Sequence, residues 1–329
     1  MRVLSGIQPS GALHLGNYFG AIRQFLDFQR EHECFYFIAT YHALTTQRDP
    51  EMLRGNVLDV AASYLALGLD PQRCVLFDQA DLPEHHELAW LLSCLTPVGL
   101  LQRAHSYKDK IARGLEASHG LFAYPVLMAA DILMYRADVV PVGKDQKQHV
   151  EIARDIAIRF NNEWGEVLTI PQPRMLDESA VVPGLDGDKM SKSYGNTIEL
   201  FEDAKTLRKR IMSIVTDSTP VEDPKDPEKC TVFLLYRLFA TEDEVAEMEE
   251  RFRAGGYGYG EAKKALFAKV EDKFGPHRER KRELLARPAD LHDILAQGAK
   301  RARAVARPLL EEVRSAVGLT ATPRVPRGS

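Results

Sequence analysis

"RVLSGIQPSGALHLGN", residues 2–17, changes character twice within one short stretch. Val3, Leu4 and Ile7 give a short apolar run, Gln8 to Asn17 is rich in chain-punctuating Gly, Pro and Ser, and Phe19, Ile22, Phe25 and Leu26 then recur at helical spacing. The stretch reads as strand, loop, helix, and the same order repeats downstream. "CFYFIAT" (34–40) and "CVLFDQA" (74–80) are compact runs rich in aromatic and β-branched residues, with the helical segment "PEMLRGNVLDVAASYLALGL" (50–69) between them. "DVVPVG" (138–143) supplies another strand, followed by the helix "QKQHVEIARDIAIRFN" (146–161). Buried strands alternating with amphipathic helices predict an α/β fold, a parallel sheet with helices on both faces. After about residue 200 the strand signals stop. "DAKTLRKRIMSIV" (203–215), "CTVFLLYRLFA" (230–240) and "PADLHDILAQGAKRARAVARPLLEEVRSAVGL" (288–319) all read as helices, so an all-helical C-terminal domain is expected. The expected division is 1–200 and 201–322, with the boundary near "GLDGDKMSKSYGN" (184–196). The tail "PRVPRGS" (323–329) resembles a protease-site remnant, an unusual native end being the alternative.

Composition narrows the function classes. The 329 residues are 45% hydrophobic, enough for a large core with a smaller one attached. The longest apolar run, Val126 to Tyr135, is interrupted by Asp131 and falls far short of the ~18 residues of a membrane span. No signal-like apolar stretch precedes the first turn, so a cytoplasmic protein is expected. Cys34, Cys74, Cys94 and Cys230 are spaced for neither a zinc ribbon nor a disulfide framework and read as buried thiols. Net charge is −4, but residues 261–329 hold 16 Lys+Arg against 9 Asp+Glu, leaving the first 260 residues at −11. That asymmetry admits a polyanion at the basic end. Solvated helix faces with internal ion pairs account for runs such as "HRERKRE" equally well.

Three constellations carry chemistry. His14, Gly16 and Asn17 open the first helix of the sheet, where free backbone N–H groups and the helix dipole favour phosphate. A plain helix start with Asn17 as N-cap is the alternative. In residues 184–196, Lys189, Ser191, Lys192 and Ser193 can surround a departing pyrophosphate, and no Walker A sequence is present. In "YPVLMAADILMY" (124–135), Tyr124, Met128 and Asp131 are spaced to share one helix face. A carboxylate there needs a donor. An indole N–H, with Met128 against the ring, is one candidate; a structural partner such as Arg136 is the other.

H-x-G-N paired with KMSKS resembles the signature pair of class I aminoacyl-tRNA synthetases. "SGIQPSGALHLGNYFGAIRQ" (5–24), "YPVLMAADIL" (124–133) and "VGKDQKQHVEIARDIA" (142–157) are similar in detail to the bacterial tryptophanyl-tRNA synthetase family, over nearly all of residues 1–320. The resemblance implies a Rossmann-like catalytic domain and a helical anticodon-binding one. It implies tryptophan activation with ATP, magnesium carried on the phosphates, transfer to the tRNA for tryptophan, and a homodimer. Carried onto this sequence, it gives Gln8, Pro9, Ser10, Gly16, Asn17, Gly143, Lys144, Asp145 and Val181, or its neighbour Val182, as ATP contacts, together with Lys189, Met190, Ser191, Lys192 and Ser193 of the KMSKS loop. Asp131, Tyr124, Met128, Gln146 and His42 would hold tryptophan. His14, Lys110, Lys189 and Lys192 would serve the reaction, and Lys300, Arg301 and Arg303 would touch tRNA phosphates. Three departures stand out: Lys144 replaces an expected acid, Leu4 stands where an aromatic is common, and "VVPGLDGD" (181–188) is about one residue short. Tyrosine activation is the nearest rival; an H-x-G-H nucleotidyltransferase or a non-catalytic binding paralogue are more distant ones.

Overall fold

Five parallel strands carry the architecture. The computed structural model describes residues 1–9, 11–104, 107, 118–143, 146–175 and 182–319. The strands are β1 (Arg2–Ile7), β2 (Glu33–Ile38), β3 (Val75–Asp78), β4 (Val139–Val142) and β5 (Gln172–Met175), arranged β3-β2-β1-β4-β5. Every neighbouring pair is parallel, with Leu4 opposite Phe35 and Phe37 opposite Phe77. The chain winds outward in opposite directions from β1, so a crevice opens beyond the carboxyl ends of β1 and β4.

Strand periodicity builds two cores. Val3, Cys34, Tyr36, Ile38 and Leu76 enter one, whereas Leu4, Phe35, Phe37, Val75 and Phe77 enter the other. Both faces are buried, which is why these strands are apolar throughout rather than alternating with polar residues.

Helices cover both faces. The first is α1 (Leu15–Asn17), which passes through a π turn (Tyr18–Ile22) into α2 (Arg23–Glu31). Next come α3 (Thr40–Ala43), α4 (Pro50–Ala66), α5 (Glu84–Ser93), α6 (Val98–Gln102), α7 (His119–Met134) and α8 (Lys147–Trp164). Helix α4 shows how sequence sets a helix start: Pro50 occupies the first turn, and the Asp49 carboxylate accepts the N–H groups of Glu51 and Met52 at 2.9 and 3.1 Å. Beyond β5 the described residues are helix and loop: α9 (Ala204–Met212), α10 (Thr231–Tyr236), α11 (Glu242–Ala254), α12 (Tyr259–Leu285) and α13 (Pro288–Ala316). The α/β sheet followed by a helical C-terminal region is thus the architecture the sequence predicts.

The last helix returns to the sheet. Leu291 and Leu295 of α13 enter the first core, and Ala299, Ala302, Ala306 and Leu309 enter the second, so the helix straddles the β3 edge. Gly298 permits the approach, since a Cβ there would lie 1.7 Å from the Leu76 carbonyl oxygen. Arg301 donates to the carbonyls of Pro71 and Cys74 at 2.6 and 2.9 Å, and the Arg303 Nε donates to Glu84 at 3.0 Å. These two guanidiniums therefore pin α13 to the chain on either side of β3, while Lys300 and Arg301 both remain exposed. All four cysteines are free; Cys34, Cys74 and Cys230 are buried as expected, and Cys94 is exposed.

Helix propensity alone gives Gly298→Ala a gain of about 1 kcal/mol. The contact with Leu76 reverses the sign: urea denaturation should show a loss of about 1–3 kcal/mol. An unchanged or raised midpoint would show that the helix does not press on the strand.

Candidate active site

The two phosphate-ready segments, about 170 residues apart in sequence, are joined by backbone pairing. The Leu15 N–H donates to the Ile198 carbonyl at 3.0 Å, the Leu200 N–H donates to the Leu13 carbonyl at 2.9 Å, and His14 faces Glu199 in an antiparallel bridge. A Cβ on Gly16 would lie 3.7 Å from the Cβ of Met190. Helix start and KMSKS loop thus share one wall.

The N-cap of α1 is His14 rather than Asn17. Its backbone is extended, its carbonyl accepts the N–H groups of Asn17 and Tyr18, and the Asn17 side chain reaches back to accept the His14 N–H at 3.0 Å. The His14 ring is buried, and its Nδ1 has no hydrogen-bond partner among the described residues. Burial, reinforced by the Lys192 charge, pushes its pKa down to about 4, so the ring is neutral at pH 7.

The KMSKS loop is organised by Asn196, which sequence reasoning passed over. Its Oδ1 accepts the Ser191 N–H at 2.8 Å, and its Nδ2 donates to Asp186 at 2.8 Å and to the Lys189 carbonyl at 3.3 Å. Met190 is buried, with its N–H donating to Val182 at 2.9 Å, and anchors the loop. The Ser191 and Ser193 hydroxyls lie 2.8 Å apart, and Lys189 is exposed. Lys192 points back toward the sheet: its Nζ lies 3.7 Å from where Gly11, at φ +66°, would carry a Cβ. Burial lowers the Lys192 pKa, opposed by Glu199 and Asp59.

A cavity of about 420 Å³ fills the crevice between β1 and β4. Gln8, Gly11, Asn17, Gly143 and Lys192 line it, as do His42, Tyr124, Met128, Asp131 and Gln146. Its apolar walls include Phe37, Ile132, Val140 and Val142. Helix α7 presents Tyr124, Met128 and Asp131 to this one space, as their spacing predicts. Pro9, His14, Gly16, Lys189, Met190, Ser191 and Ser193 lie in the adjoining segments without lining the cavity. Ser10, Lys110, Lys144, Asp145 and Val181 lie outside the described residues.

Asp131 is completely buried. Its Oδ2 lies 2.7 Å from His42 Nε2; its Oδ1 accepts from Gln79 Nε2 at 2.7 Å and lies 2.5 Å from His85 Nδ1. Burial alone would raise its pKa, but the hydrogen bonds and charges of His42 and His85 outweigh it and hold the carboxyl well below the usual range. Arg136, the alternative partner in sequence, turns away to Glu312 at 2.6 Å. Gln79 and His85 went unread because only the need for donors, not their positions, is visible along the chain. The Tyr124 hydroxyl bonds His149 Nε2, another partner that spacing does not reveal.

A family profile described as "tRNA synthetases class I (W and Y)" matches residues 1–275. The chain belongs to this family. It is 56% identical over 319 residues to the tryptophan–tRNA ligase of Rhodopirellula baltica, covering 97% of this chain and 100% of that one. It is 55% identical over 319 residues to the tryptophan–tRNA ligase of Campylobacter jejuni, with the same coverage. The crystal structure of the Campylobacter jejuni tryptophanyl-tRNA synthetase complexed with ADP and tryptophan superposes with a TM-score of 0.93, covering 97% of this chain and 100% of that chain. As a class I tRNA synthetase, the chain places its signature histidine in a dry setting, with consequences for stability. Between pH 6.5 and about 4, the unfolded chain binds a proton that folded His14 refuses, so stability falls as pH drops through that window. A His14→Gln variant should lose about 1–2 kcal/mol less than the parent between pH 7 and pH 5, read by denaturation at both pH values.

Proposed function

We infer that this protein is a tryptophan–tRNA ligase, which activates L-tryptophan with ATP and transfers it to its tRNA. What carries the reading is an apolar cavity with one fixed carboxylate, Asp131, in a chain 55% identical to a synthetase solved with ADP and tryptophan. An indole needs apolar surface plus a single acceptor for its N–H. Met128, Phe37 and Val140 offer the surface, and Asp131 offers the acceptor. Tyr124 and Gln146 hold the substrate ammonium, and His42 closes the pocket beside Asp131.

The tryptophan carboxylate attacks the α-phosphate of ATP and pyrophosphate leaves, giving tryptophanyl-adenylate. A hydroxyl of the terminal tRNA adenosine then attacks the acyl carbon and AMP leaves. Such chemistry asks the protein for alignment and for positive charge on the leaving group, with no protein nucleophile. Gln8, Asn17 and Gly143 contact the nucleotide, with Pro9 and Gly16 beside them; Ser10, Lys144, Asp145 and Val181 are the further ATP contacts that the family resemblance implies. Lys192 reaches the pyrophosphate from inside the cavity; Lys189, Met190, Ser191 and Ser193 shape the loop that delivers it, and Lys110 assists. A neutral His14 accepts or donates a hydrogen bond without repelling Lys192. Asp131, the only carboxylate among the described cavity residues, is already engaged by three donors, while amides and an ammonium face the phosphate end. That donor set suits phosphate oxygens, so magnesium would be held by the ATP phosphates themselves and would supply charge neutralisation there.

Residues 1–200 form the catalytic domain and 201–322 the tRNA-reading domain of a cytoplasmic homodimer. Among the described residues, no helix is long and apolar enough to cross a membrane.

Exchange of labelled pyrophosphate into ATP, run with tryptophan, tyrosine or neither, tests the assignment. Exchange should require tryptophan; equal exchange with tyrosine, or none with either, refutes it. In the same assay Lys192→Ala should lower kcat by about a hundredfold and leave the tryptophan KM within about threefold, because its charge acts on the departing pyrophosphate.

A further inference from the structure

Behind the cavity wall lies a polar chain that the reaction itself does not touch. His85, near the start of α5, is fully buried, and neither it nor Tyr135 lines the cavity. The imidazole bridges two groups: Nδ1 lies 2.5 Å from Asp131 Oδ1, and Nε2 lies 2.7 Å from the Tyr135 hydroxyl. The rings of Phe37, Phe77 and Tyr135 surround it at centroid distances of 6.3, 6.5 and 5.5 Å.

The proton positions follow from the partners. Tyr135 is buried between Phe35 and Phe77, and burial, then the charges of Asp131 and Glu84, hold its hydroxyl protonated. Because the Asp131 carboxylate only accepts, Nδ1 is the N–H bearing atom that donates to it, and the Tyr135 hydroxyl meets Nε2 on the far side of the ring. A carboxylate offers about four acceptor positions. Gln79 and His85 occupy both on Oδ1, and His42 takes one on Oδ2. Among the described residues nothing fills the remaining position, which belongs to the oxygen beside His42, at the cavity.

We propose that His85, anchored from behind by Tyr135, is a positioning residue for amino-acid selection: it fixes Asp131 as an acceptor-only group with one open position, which a ring N–H fills. The proposal rests on the reading of Asp131 as the indole acceptor, and extends selection to two residues that never meet the substrate. A ring that presents no donor at that point leaves a buried charged acceptor unpaired and is rejected.

The test compares kcat/KM in pyrophosphate exchange for tryptophan and for its benzothiophene isostere, in which sulfur replaces the indole N–H. The variants are Asp131→Asn, His85→Phe, His85→Asn and Tyr135→Phe, each with its thermal unfolding midpoint. His85→Phe should raise the tryptophan KM and shrink the tryptophan-to-isostere ratio, each by about tenfold, with kcat within about threefold. His85→Asn, whose amide nitrogen can stand where Nδ1 stood, should recover most of the ratio. Tyr135→Phe removes one oxygen from a stacked ring and should lower the ratio by about threefold; it carries the test if His85→Phe does not fold. A ratio unchanged in Tyr135→Phe, or equal in His85→Phe and His85→Asn, overturns the proposal. If Asp131→Asn leaves the ratio intact, the indole reading fails and the proposal with it. If Asp131→Asn collapses the ratio while His85→Phe does not, only the role of His85 is lost.

Discussion

Two backbone hydrogen bonds, Leu15 to Ile198 and Leu200 to Leu13, hold the opening of the first helix to the segment that carries the KMSKS loop. The segment after β1 and the segment after the KMSKS loop have no common element, and each alone is a turn-rich surface stretch. Pairing them gives the loop a fixed root, and Asn196 organises the residues before it. The Lys192 charge is then delivered into the crevice rather than into solvent. The same junction keeps His14 dry and neutral, so the cationic side of the site is set by lysine alone. Cation and neutral imidazole thus share a small space without mutual repulsion.

The other end of the cavity obeys the opposite electrostatic rule. Here one negative charge is kept ionised in a setting that would otherwise neutralise it, by donors from three separate elements: His42 on α3, Gln79 after β3 and His85 on α5. Removing a buried charge from water is costly unless hydrogen bonds replace the lost solvation. Three donors supply that replacement while leaving the carboxylate negative. The cavity is therefore polarised from end to end, with apolar strand and helix side chains between the two charges.

Much of this was legible along the chain, and the failures have physical causes. Strands β1 to β4 announced themselves because both their faces are buried. Strand β5, "QPRM", did not, because it lies at the sheet edge, is mostly exposed and becomes a strand only by pairing with β4. The α7 stripe of Tyr124, Met128 and Asp131 was readable from helical spacing, since all three act from one face. The donors to Asp131 were not, lying 46 to 89 residues away in sequence and meeting it only through the sheet. Arg301 and Arg303 looked like nucleic-acid contacts because a basic helix face looks the same whether it meets phosphate or carbonyl oxygens. What distinguishes the two is the neighbour, and that neighbour is the end of β3.

The close seating of α13 on β3 also orders events during synthesis. Strand β3 is complete more than 200 residues before Gly298 leaves the ribosome, and until then it lacks the cover that α13 gives it in the finished fold. A nascent chain in that interval presents a ready template for intermolecular strand addition. Stalling or cleavage just ahead of α13 would therefore release a species whose sheet is formed but whose flank is adhesive, prone to aggregate rather than merely lacking a terminal helix.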